Sequence, residues 1–147
     1  MISVTINLDT SRFDRMMSDF PAAMARAQRV ALNKIGKAVA AYAQDAIKNP
    51  GLRPSPWAPR KKSYKHPPLL RSTGMYNKIS YRVTGRGTVI VGSPHVYSIY
   101  HQMGTKKMPA RPFFPFYRNG QIMPSVMREI DHKVRGAYEA ELEKLRR

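Results

Sequence analysis

Hydrophobic and polar residues alternate strictly at the start of the chain and then change to a helical period. Residues 2–8 place an apolar side chain at every second position, which predicts a half-buried strand. From Phe13 to Ile47 the apolar residues recur mostly every three or four positions, and Asn49-Pro50-Gly51 then stops the pattern. This predicts one long amphipathic helix, which Pro21 should kink or divide because its ring clashes with the preceding turn.

Alternation returns in the second half of the chain and predicts two antiparallel hairpins. Residues 79–83 alternate, Gly85-Arg86-Gly87 forms a turn, and residues 88–92 return as the partner strand. Asn119-Gly120 is a strong hairpin signal, because both central residues of that turn need positive φ. We therefore expect a third and a fourth strand on either side of it, at residues 114–117 and 121–123.

Two further helices complete the pattern. A short helix at residues 97–103 should end at Gly104, because glycine reaches left-handed φ without a steric cost. A longer amphipathic helix begins at Pro124-Ser125 and reaches the basic end of the chain. The order of elements predicts an α+β fold in a single domain, residues 1–147. A small antiparallel sheet would carry the long N-terminal helix and the C-terminal helix on one face.

Two proline-rich segments interrupt these elements. Residues 51–68 form a basic, proline-rich loop that holds the single tryptophan, Trp57, which we interpret as a cap over the edge of the core. Residues 105–118 form a proline-stiffened arm, in which two prolines restrict the backbone around Arg111. Such an arm is either pinned to a core or directed at another molecule, and we expect the second at least in part.

Charge changes this picture, because the 147 residues carry a formal net charge of +17. All nine acidic residues lie outside Ala46–Arg128, a span that holds fifteen Lys and Arg. A charge of this size repels itself, so the chain is expected to work against something acidic. The partner would be nucleic acid or acidic protein subunits, and a merely solvated basic face is the alternative.

The composition also excludes several classes of protein. The absence of cysteine rules out a disulfide scaffold and a cysteine-ligated zinc site. No apolar run approaches the ~18 residues of a membrane span, and the first residues lack the features of a signal peptide. We therefore expect a protein made in the cytoplasm, with no membrane contact. None of the four histidines has metal-site spacing and the central span has no carboxylate, which predicts a non-enzyme without a cofactor.

Basic and aromatic residues are interleaved in the first proline-rich segment, which is typical of sequence-independent nucleic-acid contact. No helix-turn-helix, zinc finger or RNA-recognition pattern accompanies them. Under this hypothesis, the residues expected to contact DNA are Arg60, Lys61, Lys62 and Lys65.

Four short motifs follow one another along the chain: Pro56-Trp57-Ala58-Pro59, Leu69-Leu70-Arg71-Ser72-Thr73-Gly74, Val89-Ile90-Val91-Gly92, and Tyr97 to Phe113. The last and most specific motif joins HQMGT to MPARPF. In this order the motifs resemble the phage virion morphogenesis family, the small tail-completion and head–tail joining proteins of Mu-like and related tailed phages. The likeness covers roughly residues 10–114, and the hairpin expected after Phe114 departs from the helix that relatives would have there.

The resemblance implies a structural virion protein of the neck or upper tail that completes the tail or joins it to the head. Family members typically form rings, often hexameric, around the DNA channel. The implied partners are copies of the same chain, neighbouring neck, portal-side, tail tube or sheath proteins, and genomic DNA in non-specific contact. Arginine and aromatic residues dominate interface energetics. The subunit or partner interface is therefore expected at Trp57, Arg71, Thr73, Tyr100, His101, Gln102, Arg111, Phe113 and Phe114.

Overall fold

The longest element is a helix, α1, which runs from Ser11 to Lys48. It belongs to a computed structural model that describes residues 11–66, 68–70, 74–84 and 87–147, apart from the side chains of residues 12 and 13. The predicted long helix is confirmed, but it is not divided at Pro21. The proline removes the hydrogen bond to the carbonyl of Met17, and this stretch of the helix is exposed, so water can replace the missing donor. The predicted strand at residues 2–8 lies outside the described residues.

The predicted first hairpin is confirmed, as a two-stranded antiparallel sheet that packs on α1. Strand β1 spans Ser80–Thr84 and strand β2 spans Thr88–Gly92, with Tyr81 opposite Val91. The sheet approaches α1 closely at Gly36, where an added Cβ would lie 2.3 Å from the ring of Tyr81. The absence of a side chain at Gly36 therefore lets the helix and the sheet meet.

The predicted third and fourth strands are wrong, because only a single bridge, between Phe116 and Ile122, joins these segments. Gly120 has positive φ (83°), but Asn119 does not, so the turn is not the two-residue type that the Asn-Gly pair indicates. The loop is wider and closes with a bond of 2.8 Å from Tyr117 N–H to the Gln121 carbonyl. Prolines on both sides of this loop lack the N–H groups that a longer ladder needs.

The C-terminal helix, α4, spans Pro124–Arg146 and packs along α1. The two helices run antiparallel, since Tyr42 contacts Met123 at one end and Arg26 lies 3.1 Å from Glu141 at the other. A row of buried alanines lets their backbones approach: Ala23, Ala27 and Ala31. The predicted α+β fold is confirmed, with the sheet and α4 both packed against α1.

A second cluster of buried residues lies at the C-terminal end of α1. It combines the last apolar residues of that helix with a four-residue helix, α2 (Gly74–Asn77), which the sequence did not predict. The largest side chain in it is Phe113, which has no exposed surface and comes from the proline-stiffened arm. The members are Ala40, Ala43, Ala46, Ile47, Met75, Ile79 and Phe113.

Candidate functional site

A short helix, α3, spans Ser98–Met103 and exposes large apolar side chains. Gly104 ends it at φ 75°, as predicted, and the Gly104 N–H bonds to the Tyr100 carbonyl. The helix makes no extensive contact with the other described helices and strands. Val96 is 70% exposed and Ile99 is 64% exposed. We call the following residues the α3 face: Val96, Tyr97, Ile99, Tyr100 and Met103.

The segment that follows α3 is held to that helix by hydrogen bonds that its own backbone N–H groups donate. The Gln102 side-chain oxygen accepts bonds from the N–H groups of Phe113 (3.0 Å) and Phe114 (3.1 Å). The Arg111 N–H donates to the carbonyl of His101 at 2.6 Å. The proline-stiffened arm is therefore pinned to the core along its main chain. Only its surface side chains remain for contact with a partner.

Trp57 fixes the basic proline-rich loop to the same arm. Its indole N–H donates to the Pro112 carbonyl at 2.8 Å, and the Arg53 guanidinium lies 3.5 Å from the ring centre. Arg53 also donates to the carbonyls of Ala46 and Ile47, where the last turn of α1 leaves acceptors free. Trp57 is half-buried against the core, the position that its interpretation as a cap requires.

Beside α3, the basic loop and the arm line an open pocket of about 620 Å³. Its walls carry four Lys or Arg side chains and three histidines, and none of its lining residues is acidic. Burial lowers the pKa of His101, and the nearby charges of Arg111 and His95 lower it further. We call this open pocket the basic pocket; its basic residues are Arg60, Lys61, Lys62, His66, His95, His101 and Arg111.

The structure brings most of the predicted interface residues together around α3. Tyr100 is exposed, whereas His101, Gln102 and Arg111 are half-buried. Phe113 lies inside the core of the monomer, and Phe114 packs on its ring at 4.8 Å between centroids. A partner would therefore reach Phe113 only if that core opened. Arg71 and Thr73 lie outside the described residues.

The residues predicted to contact DNA divide into two groups. Arg60, Lys61 and Lys62 line the basic pocket, whereas Lys65 is exposed and does not line it. Arg60 lies over the Tyr64 ring at 5.1 Å and donates to the carbonyl of His66. Lys61 and Lys62 are the exposed lysines of the pocket wall.

Sequence reasoning missed several residues that the structure adds to the site. The α3 face includes three aliphatic side chains, and the pocket includes two further histidines, His66 and His95. The aliphatic residues carried a signal, since five of the eight residues 96–103 are large and apolar, in a helix too short to bury them. The aliphatic residues are Val96, Ile99 and Met103.

Comparison with protein families identifies the chain. The sequence model of the phage virion morphogenesis family matches residues 8–133. The chain belongs to this family. Its role is accordingly a structural one in virion morphogenesis, and the resemblance read from the motifs is confirmed. The match continues beyond Phe114 and through the loop into α4, so the departure expected there is smaller than predicted. No curated protein and no solved structure matches the chain.

The described residues hold neither a membrane-spanning helix nor a metal-binding cluster. Among the helices that the structure describes, none is both long and apolar enough to cross a membrane. Within residues 11–66, 68–70, 74–84 and 87–147, no group of three or more His, Cys, Asp or Glu side chains could hold a metal ion.

Proposed function

We propose that this morphogenesis protein acts at the neck or upper tail of the virion, where it completes the tail or joins it to the head as a ring around the DNA channel. The observation that carries the proposal is the α3 face. Its five large apolar side chains lie within eight residues and are all at least about half exposed. Contiguous exposed apolar surface of this kind marks an interaction site, whereas single exposed apolar residues are ordinary.

A ring requires a contact between two different surfaces of neighbouring subunits. The α3 face supplies one such surface, because it lies apart from the α1–α4 pair and is already held in place by the bonds of Gln102 to the arm. A preorganised surface loses little conformational entropy on binding. The neighbouring subunit would then cover aliphatic and aromatic side chains with residues from another part of the same chain.

The proposal is tested by the mass of the purified protein in solution. We expect a discrete oligomer that persists at ~0.5 M salt without DNA, since screening there is short-ranged and apolar contacts do not depend on it. Ile99→Glu should convert it to a monomer without unfolding it, because the side chain is 64% exposed. Ile90→Glu is the matched control on β2, where the side chain is 50% exposed and outside the α3 face. An oligomer that tolerates Ile99→Glu as well as Ile90→Glu would refute the role of this face.

A second candidate function is sequence-independent nucleic-acid binding, favoured by the exposed Tyr64 ring beside Arg60 and two lysines. Rings of this kind stack on bases, and the cations contact phosphates. This function predicts a monomer that changes mass only when DNA is added. The affinity of the protein for DNA should fall by about 0.9 log units per tenfold rise in salt concentration for each phosphate neutralised. The same mass measurement, made with and without DNA, separates the two functions.

A further inference from the structure

The basic pocket gathers four Lys or Arg side chains, and none of the described residues that line it is acidic. Two of the three buried side-chain nitrogen and oxygen atoms that lack a hydrogen-bond partner within the described residues belong to its wall, namely His101 Nδ1 and Arg111 Nε. The one side-chain bond described for Arg111 is a long one, 3.3 Å, to the Ala58 carbonyl. By contrast, Arg26 on α1 and Lys144 on α4 each form an ion pair with the buried carboxylate of Glu141.

We propose that the basic pocket binds carboxylate side chains of an acidic segment on a neighbouring virion protein. A concave site with charge of one sign and apolar walls focuses the electrostatic field on a bound anion. An arginine fork suits a carboxylate, because two parallel N–H groups can donate to its two oxygens. Leu69 and Met75 also line the pocket, and they fit the methylene groups of an acidic side chain rather than water. The inference rests on the proposed structural role, since it names the chemistry of one partner of that role.

The apolar surroundings favour a protein partner over nucleic acid. Tyr97 lines the pocket and belongs to the α3 face, so an occupant of the pocket also meets that face. Leu69 in the wall of the pocket is aliphatic, and bases do not stack on it as they do on aromatic rings. A DNA strand in the pocket would leave this part of the wall uncovered, whereas an acidic segment with apolar residues beside its carboxylates would cover it.

Binding can be measured on the full chain with a defined probe. The probe is a blocked peptide of alternating glutamate and leucine with an uncharged dye, and the control peptide has glutamine in place of glutamate. Lys61→Gln combined with Lys62→Gln should weaken binding of the glutamate peptide about tenfold, since two charge-assisted contacts are lost. Lys34→Gln combined with Lys37→Gln removes the same charge from exposed positions of α1, and binding should change less than about twofold.

Several results would overturn the inference. Equal losses in the two double variants would mean that only net charge attracts the peptide, and equal binding of the glutamine peptide would mean that no carboxylate is needed. A third result would assign the pocket to nucleic acid. In it, the glutamate peptide does not bind, whereas oligothymidylate or a short DNA duplex binds and loses affinity when Lys61 and Lys62 are both replaced by glutamine. The failure of this inference is distinguishable from that of the ring. A salt-resistant oligomer without peptide binding contradicts the pocket alone, and a monomer with intact peptide binding contradicts the ring alone.

Discussion

Replacing Gln102 with leucine tests whether this residue holds the arm in place or only contacts a partner. Its side-chain oxygen accepts from the N–H groups of Phe113 and Phe114, at 3.0 and 3.1 Å. Leucine has a similar size but no acceptor, so both N–H groups would be left unsatisfied. Phe113 is fully buried, whereas Phe114 is half-buried and water can partly replace the lost acceptor. At about 1–3 kcal/mol for each unsatisfied buried group, we expect Gln102→Leu to lower the free energy of unfolding by about 2–4 kcal/mol.

The matched variant is Gln102→Glu, which keeps an oxygen in place and adds a negative charge to a basic surface. Its free energy of unfolding should stay within about 1 kcal/mol of the parent. Urea unfolding with linear extrapolation measures both variants, and the loss in Gln102→Leu would be a large part of the ~5–15 kcal/mol typical of a domain. Two results would refute the reasoning. One is Gln102→Leu as stable as the parent, as expected if the residue served only an interface; the other is Gln102→Glu as unstable as Gln102→Leu.

Two further predictions use the same unfolding assay. Gly36→Ala should destabilise the fold by about 1–3 kcal/mol, because the new methyl group overlaps the ring of Tyr81, whereas Gly136→Ala on α4 meets nothing within 4 Å and should stabilise it by about 0.5–1 kcal/mol. If both substitutions changed the free energy of unfolding in the same direction, the close approach of α1 and the sheet at Gly36 would be contradicted. Burial and neighbouring cations lower the pKa of His101 in the folded state, so the unfolded chain binds this proton more readily. Stability should therefore fall as the pH drops from above the ordinary value of 6.5 through the lowered pKa, and His101→Gln should flatten that slope; an unchanged slope would contradict it.

The local periods of the sequence were enough to predict most of the elements. A helical period sustained over α1 and α4, and strict alternation in β1 and β2, each leave one choice of secondary structure. The third and fourth strands failed for a tertiary reason. The Asn119-Gly120 pair favours a tight turn, but flanking prolines and the start of α4 limit the pairing to one bridge. Helix α2 has four residues and no period of its own, so only its packing on α1 defines it.

The site was predicted as a group of residues but not with the right contacts. The motifs named Trp57, Gln102 and Arg111, and the structure does bring them to one place. Their partners are main-chain atoms far away in sequence, such as the Pro112 carbonyl that Trp57 contacts. Residue type alone cannot tell whether a polar side chain will bond to its own chain or to a partner. The pocket was also missed, because its walls come from four separate parts of the chain: residues 60–69, Met75, residues 95–101 and Arg111.

The two surfaces proposed here respond to salt in opposite directions. Copies of a chain with a net charge of +17 repel one another, and this repulsion opposes any ring held together at the α3 face. Screening weakens the repulsion but leaves the burial of Val96 and Ile99 nearly unchanged, so rising salt should favour self-association. Carboxylate binding in the basic pocket should instead weaken as salt rises. An acidic partner would therefore do for the ring what salt does in solution, since it neutralises charge next to the surface through which the copies meet. If self-association instead declined with salt, the contact between copies would have to depend on ion pairs, and the α3 face could not be its main part.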